Sequence, residues 1–413
     1  MTTTPADADA DTTHLGDYPF PRTCPFAQAD RVGKARDAVG TPIVRLEWLD
    51  EDVVYVTRYD DVRALLASPH VSSKHSVPKF PSLVRERAYR GGPSPIVQSD
   101  PPVHGPLRRI IAPELAPKSI AGFRPEVEKI VADAIAHLES FGSEPVDLMT
   151  EFAQKIPSAV MCTLWGLPQE MAPVFAKLLI SDIEYGVGQE KTRGQLGAHE
   201  FAQRLGQHIA ENPDASKTVQ RINAAIADGS MSILDGIVLG STVFGAGFDT
   251  TYNMIGAAIV EFLRSPEKGA YFLEATDEQA YVAINEMMRY ISAAHLGVGR
   301  MATADIELPS GIKIAEGQGI IVSLEGANHD PAQFDQPEDM DLERQDNNHL
   351  GFGFGLHQCP GQHLARLELI LSLKAILRHF PHLRLAVEED ELRYTDEAEI
   401  RGPAQLPVVL RSA

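Results

Sequence analysis

One of three cysteines in the chain, Cys359, stands in the run Phe352-Gly353-Phe354-Gly355-Leu356-His357-Gln358-Cys359-Pro360-Gly361, followed at once by a helical pattern from Gln362 to Arg366. A thiolate needs positive potential, and a helix start supplies it through unpaired N–H groups and the macrodipole. The glycines let the backbone turn tightly and bring those N–H groups close to sulfur. The arrangement suits a thiolate bound to a metal. Two plainer readings compete with it. A free cysteine is often a small buried hydrophobe, and a glycine-rich turn before a helix often cradles phosphate. The phosphate spacing fails, because Leu356 and Gln358 occupy the third-glycine positions of G-x-G-x-x-G and no Gly-Lys-Ser/Thr follows. Cys24 and Cys162 lie far away without C-x-x-C spacing, so zinc is not expected and both read as structural.

A second chemical signal is Ala246-Gly247-Phe248-Asp249-Thr250-Thr251, where Asp249 is the one charge between Gly236 and Val260. Burying a carboxylate is costly unless it has a partner or water. Thr250 can bond the carbonyl of Ala246 and loosen the helix at the Ala-Gly pair. The competing reading is a close helix contact at glycine beside a paired core aspartate. The stretch is long enough to cross a bilayer. Its Ser241, Thr242, Thr250, Thr251 and Asn253, its glycines and the lack of basic-aromatic flanks favour a helix buried in a soluble core instead.

The elements that must position these groups are mostly helical. Asp60-Asp61 opens a short amphipathic run through Val62, Leu65 and Leu66, and apolar periodicity recurs over about 125–140 and 146–166, broken at Gly166-Leu167-Pro168. Ser232 can cap a helix of some thirty residues ending near Ser265-Pro266. Further helices are expected from Asp277 to Tyr290 and from Gly361 to Phe380. Strand signals are few: Val53 to Thr57, Ile306, Ile312, Ile314, Gly319 to Ser323, and Leu406 to Leu410 as an edge strand that tolerates Pro407. With 413 residues, 44% of them hydrophobic, a large core is available. The net charge of −20 opposes a nucleic-acid partner. Unpaired cysteines suggest a reducing, cytoplasmic setting. Met1 to Asp17 lacks the basic and apolar regions of a signal peptide and reads as a disordered tail before one domain over 18–413.

The cysteine run matches every fixed position of Phe-Gly-x-Gly-x-His/Arg-x-Cys-x-Gly and so resembles the haem-binding loop of the cytochrome P450 family, most closely its soluble actinobacterial members. The likeness runs from Tyr18 to Val408 and implies a mainly α fold with a small β portion, a triangular helical prism enclosing haem b. Cys359 would be the axial iron ligand, with Phe352, Gly353, Gly361 and Ala246 lining the haem. Glu286-x-x-Arg289 with Arg344 would match the family's structural charge network, although Met340 replaces the usual phenylalanine before Asp341. His104 and Arg108 fit His/Trp-x-x-x-Arg, and with Arg300 and His357 they would grip the haem propionates, Pro106 replacing a frequent arginine. Asp249 and Thr250 fit small-Gly-x-Asp/Glu-Thr and would deliver protons during dioxygen activation.

The resemblance further implies monooxygenation of a largely hydrophobic small substrate by hydroxylation, epoxidation or O-dealkylation. Electrons would come from NAD(P)H through a separate ferredoxin and ferredoxin reductase, since only 54 residues follow Cys359 and no dinucleotide fingerprint appears. Arg109, Lys118 and Arg366 are expected to offer that partner a basic face, and the enzyme is expected to be monomeric and free of membrane. Substrate contacts are expected from loops 72–98, 182–194 and 293–298, among them Ala294, His295 and Leu296, and from Val243, Phe244 and Ile400. Alternatives on the same fold are a nitric-oxide reductase, a peroxide-driven variant and an oxidative coupling enzyme; from another class, a non-catalytic haem sensor or carrier. The Asp249-Thr250 pair argues against the first two and disfavours the last.

Overall fold

The computed structural model describes residues 12–411 except 23–27, 47, 50, 84–93, 184–191 and 397. Strands β1 (Thr12–Tyr18), β2 (Thr41–Leu46), β3 (Asp52–Val56) and β4 (Val71–Ser72) come early, and β5 (Val146–Asp147) is isolated among helices. They are joined by β6 (Val298–Ala302), β7 (Ile306–Glu307), β8 (Lys313–Ile314), β9 (Gly319–Val322), β10 (Arg384–Leu385) and β11 (Pro407–Val409). The main sheet runs β1-β2-β3-β9-β6-β4, a second runs β10-β11-β5, and β7 pairs with β8.

The helices are α1 (Asp30–Arg36), α2 (Tyr59–Ala67), α3 (His104–Ile111), α4 (Pro117–Glu139), α5 (Lys155–Trp165), α6 (Ala172–Ile183) and α7 (Thr192–Glu211). After them come α8 (Lys217–Ala227), α9 (Ile233–Arg264), α10 (Pro266–Glu274), α11 (Asp277–Ile291), α12 (Leu324–Asn328) and α13 (Gln362–His379).

Local chemistry sets these boundaries. Ser232 accepts the Asp235 N–H while Asp235 accepts the Ser232 N–H, a reciprocal cap that starts α9. Thr276 and Gln279 do the same for α11. Helix α9 packs against α5, α7, α10, α11 and α13, so its apolar length is the spine of the helical body. From Thr251 to Phe262 every residue is buried. It is the one described helix long and apolar enough for a membrane span, and this packing makes it a core helix.

Three expectations need correction. The tail expected to reach Asp17 ends earlier: Thr12–Tyr18 is a strand in parallel register with β2, and Leu15 and Tyr18 are buried. The polar composition hid two apolar anchors; residues 1–11 lie outside the described set. The C-terminal strand β11 is central, pairing with β10 on one side and β5 on the other. Pro407 fits because it is the first residue of that strand. The apolar run 146–166 is not one helix but β5, a π-turn over Met149–Ala153 and α5. Gly166 ends α5 at φ 66°, where an added Cβ would lie 2.3 Å from the Ala215 carbonyl oxygen.

Candidate active site

The cysteine loop is a tight backbone hairpin. The Cys359 N–H donates to Phe352 O at 2.8 Å, and the Gly353 N–H to Leu350 O at 2.8 Å. Gly355 has φ +70°, and a Cβ there would meet Leu66 O at 2.3 Å, so only glycine lets the loop lie against α2. Gly361 is the N-cap of α13. The Gly361 and Gln362 backbone N–H groups bond the Cys359 sulfur, as a helix start should. Burial still holds the thiol above its ordinary pKa, while Gly361, Arg108 and Arg366 pull it back. A coordinated metal ion removes such a proton outright. Arg366 stacks on Phe352 at 4.4 Å and on Tyr281 at 5.0 Å and bonds Asn285 Oδ1 at 2.8 Å. It is buried, so the expectation that it faces a partner is wrong; it braces the loop instead. Arg109 and Lys118 are exposed. Of the structural cysteines, Cys162 is buried, and burial raises its thiol to about 12; Cys24 lies outside the described residues.

Behind the loop, Glu286 and Arg289 are fully buried and joined by two bonds of 2.8 Å. Arg344 Nε adds a bond of 3.1 Å to Glu286, and Asn347 Nδ2 and the Asp341 N–H each add one of 2.9 Å. Arg289 also donates to the carbonyls of Asn328, Pro337 and Asp339. The three residues named from sequence do meet. A buried ion pair is tolerable only when its remaining lone pairs and protons are satisfied, as here.

The four basic residues also gather. The His104 and His357 rings lie 4.6 Å apart, Arg108 Nη1 donates to Leu356 O at 3.3 Å, and His357 Nε2 is 3.1 Å from Ser73 Oγ. Arg300 is buried and bonds its own strand at Gly299 O. Burial lowers the Arg300 pKa to about 10, with Asp100 opposing. Burial, then Arg300 and His104, pushes His357 down to about 3, and burial and Arg108 lower His104. Such a cluster gains by receiving an anion. His104 Nδ1 is a buried polar atom without a partner among the described residues. Both observations fit a group carrying carboxylates. Sequence reasoning missed Ser73, for which no local pattern exists.

On α9, Thr250 Oγ1 donates to Ala246 O at 2.7 Å, and the backbone remains helical throughout. Asn253, one turn on, donates to the Asp249 carboxylate at 3.0 Å and carbonyl at 2.9 Å. A Cβ on Gly247 would lie 2.7 Å from Met161 Sδ, so the glycine also serves close packing against α5. Ala246 is exposed although Phe244 and Phe248 beside it are fully buried. Its face of α9, with Thr242 and Thr250 at i−4 and i+4, is thus less buried than the faces beside it.

The substrate-facing expectations fare less well. Phe244 packs against Phe201 at 5.1 Å and Phe175 at 5.5 Å, between α9 and helices α6 and α7. Val243 packs on the main core. Leu296 is buried beneath the main sheet with its carbonyl accepting the Tyr18 hydroxyl at 2.9 Å. His295 is buried, with Nε2 2.8 Å from Ala398 O. Phe244, His295 and Leu296 are therefore core residues, whereas Val243 is only half-buried. Ala294 and Ile400 are half-buried, and the missed neighbour is Thr242, readable from its four-residue spacing to Ala246. Residues 84–93 and 184–191 of the expected loops lie outside the described set.

Cysteine at a helix start, a basic cluster and a polar pair on a core helix define the class of haem-thiolate proteins. A family model described as "Cytochrome P450" matches residues 281–401. The chain is 33% identical to vitamin D3 dihydroxylase of Streptomyces griseolus over 98% of both chains. It is 33% identical to 20-oxo-5-O-mycaminosyltylactone 23-monooxygenase of Streptomyces fradiae, over 95% of this chain and 91% of that one. Among solved structures, mycinamicin VIII C21 methyl hydroxylase from Micromonospora griseorubida superposes with TM-score 0.87 at 30% identity, covering 95% of this chain and 99% of the other. The chain belongs to the cytochrome P450 family: a haem-dependent monooxygenase of bacterial, actinobacterial type that uses dioxygen and acts on small organic substrates.

Proposed function

We propose that this enzyme inserts one oxygen atom from dioxygen into a largely hydrophobic small molecule, by hydroxylation, epoxidation or O-dealkylation. In this reading it is a cytoplasmic monomer that receives NAD(P)H electrons from a separate ferredoxin and ferredoxin reductase. Haem, when bound, supplies the dioxygen activation and oxygen transfer. Cys359 would hold the haem iron through its sulfur, which the first N–H groups of α13 support and Phe352 screens. His104, Arg108, Arg300 and His357 would hold its carboxylates. Asp249 accepts from Asn253 and brings protons to the α9 chamber; the Thr250 hydroxyl passes them on at Oγ1. Glu286, Arg289 and Arg344 keep the loop in place and take no part in the chemistry. Exposed Arg109 and Lys118 offer the electron donor a local basic face despite the overall negative charge.

The observation that carries this reading is the Cys359 sulfur seated on the Gly361 and Gln362 N–H groups, together with a cation cluster whose buried His104 Nδ1 has no partner among the described residues. In this reading the less buried face of α9 lines a substrate chamber, and hydrophobic substrates are supported by the exposed Ala246 there and by relatives named for vitamin D3 and mycinamicin. A screen of hydrophobic compounds for a haem spin-state change, followed by turnover with a surrogate ferredoxin and reductase, tests it. One oxygen atom from labelled dioxygen should enter the product. Binding without turnover would favour a haem carrier, and a carbon–carbon or ring-coupled product without added oxygen would favour an oxidative coupling enzyme.

A further inference from the structure

Arg366, in the second turn of α13, is a buried cation, yet no carboxylate among the described residues pairs with it. Its Nε donates to Asn285 Oδ1 at 2.8 Å, and its Nη1 donates to Gln362 O and Gln362 Oε1, each at 3.1 Å. All three acceptors are neutral. The neighbouring acids are engaged elsewhere or turned away. Glu286, next to Asn285, is held by Arg289 and Arg344. Glu368, two residues along α13, belongs to another face of that helix. The acidic groups whose charge acts on Arg366 are Tyr281 and Cys359. Tyr281 offers the face of its ring, 5.0 Å away, which leaves the Cys359 sulfur as the counter-charge. Two contacts carry Arg366 to that sulfur. It stacks on Phe352 at 4.4 Å, whose carbonyl accepts the Cys359 N–H at 2.8 Å, and it grips Gln362, whose own N–H bonds the sulfur. Asn285 fixes the guanidinium there. His349 Nδ1 accepts the Gly351 N–H at 3.1 Å, so its proton is on Nε2, which lies 3.3 Å from the same Asn285 Oδ1. With a donor on each lone pair, the Asn285 amide cannot turn.

We propose that Arg366, seated by Asn285, is the fixed counter-charge of the Cys359 thiolate and raises the reduction potential of the bound haem. The proposal rests on the haem-thiolate reading and goes beyond bracing the loop, because it assigns the work to charge. Burying an unpaired guanidinium is unfavourable, and the stack on Phe352 offsets only part of that. A thiolate behind the ring supplies the missing negative charge. One electron taken up by the haem adds one negative charge to the unit the sulfur belongs to, and a cation close by favours that reduced form. Arg108, the other cation acting on Cys359, is half-buried and in the same reading is engaged by the haem carboxylates. Arg366 acts through Cys359, and Asn285 through Arg366, so both are positioning residues. The neutrality of Asn285 is part of the device, since a carboxylate there would cancel the charge it holds.

The test is dithionite titration of the purified haem protein at about pH 8, above the range in which histidine protonates. Wild type is compared with Arg366→Gln, Arg366→Lys and Asn285→Asp, and the carbon monoxide spectrum is recorded for each. Arg366→Gln should lower the equilibrium constant for reduction about tenfold, which is about 59 mV for one electron, with the thiolate-type carbonyl band retained. Arg366→Lys keeps the charge and should stay within about threefold of wild type. Asn285→Asp still accepts from Arg366 and His349 but adds a counter-charge, and should lower the constant by more than about threefold. A role confined to bracing the loop predicts no shift for Asn285→Asp and the same shift for Arg366→Lys as for Arg366→Gln. Should Arg366→Gln lose haem, Asn285→Asp decides. A fall of less than about threefold in Arg366→Gln or in Asn285→Asp, or equal falls in Arg366→Lys and Arg366→Gln, overturns the proposal. A wild-type carbonyl band at the position of a histidine-ligated globin would instead overturn the haem-thiolate reading itself.

Discussion

The two sides of the site are built by different forces. Around Cys359, charge and backbone donors dictate residue type. Gly355 must be glycine because Leu66 O leaves no room, and Glu286 must be an anion because five donors converge on it. Around the α9 chamber, shape dictates position, and many apolar residues satisfy it equally. The first kind of site imposes fixed residues at fixed spacings; the second imposes only which face of a helix looks inward. Substitutions on the first side should act through stability and cofactor retention, and on the second through selectivity and proton delivery.

The largest contrast should come from Glu286→Ala. It strands the buried Arg289 charge, for which about 3–5 kcal/mol of stability is lost. Urea unfolding and haem content should both show it, and a variant that keeps wild-type stability would place the network outside the loop's support. Next is Phe244→Ala, in the Phe175–Phe201 cluster. It should cost about 3–5 kcal/mol as a core truncation while leaving intact the haem spin-state response to hydrophobic compounds. An altered response with unaltered stability would restore Phe244 to the chamber and dissolve the comparison.

Asp249→Asn should lower turnover by about 10²-fold with haem content unchanged. Thr250→Ala should release peroxide and uncouple NADH use from product, and undiminished coupling would remove it from the relay. The smallest effect concerns pH. His295 is held down to about 3 by burial, Arg22 and Arg401, so below about pH 6.5 the unfolded chain binds a proton that the native one refuses. Stability therefore falls as pH drops from about 6.5 towards 3, by up to ~1.4 kcal/mol per pH unit for one such proton. His295→Gln should flatten that slope in urea unfolding at pH 7 and pH 5. His349, also lowered to about 3 by burial and Arg366, remains to carry part of it.

The same contrast explains what was legible in the sequence. The cysteine loop, the Glu286–Arg289–Arg344 set and the basic cluster are all specified by polar residues at fixed intervals, and the fold brings each set together. The caps of α9 and α11 were equally readable, because Ser232 and Thr276 act on neighbours three residues away. The chamber was misread because α9 is apolar on nearly every side, so its pattern gives no rotation. Phe244 was assigned to the substrate and lies among aromatic rings; Thr242, in step with Ala246 and Thr250, was passed over. His295 and Leu296 were misplaced for another reason. Their partners, Arg22 and Tyr18, lie 273 and 278 residues away, and no local pattern announces such a pairing. Strand β1 was missed because two buried anchors, Leu15 and Tyr18, stand among polar neighbours.

The central claim, that the Cys359 sulfur ligates the haem iron, is tested most directly by the absorption spectrum of the reduced protein under carbon monoxide. The predicted result is the strongly red-shifted Soret band of a thiolate-ligated ferrous carbonyl. A band at the position given by a histidine-ligated globin, or a protein without haem colour, would contradict it.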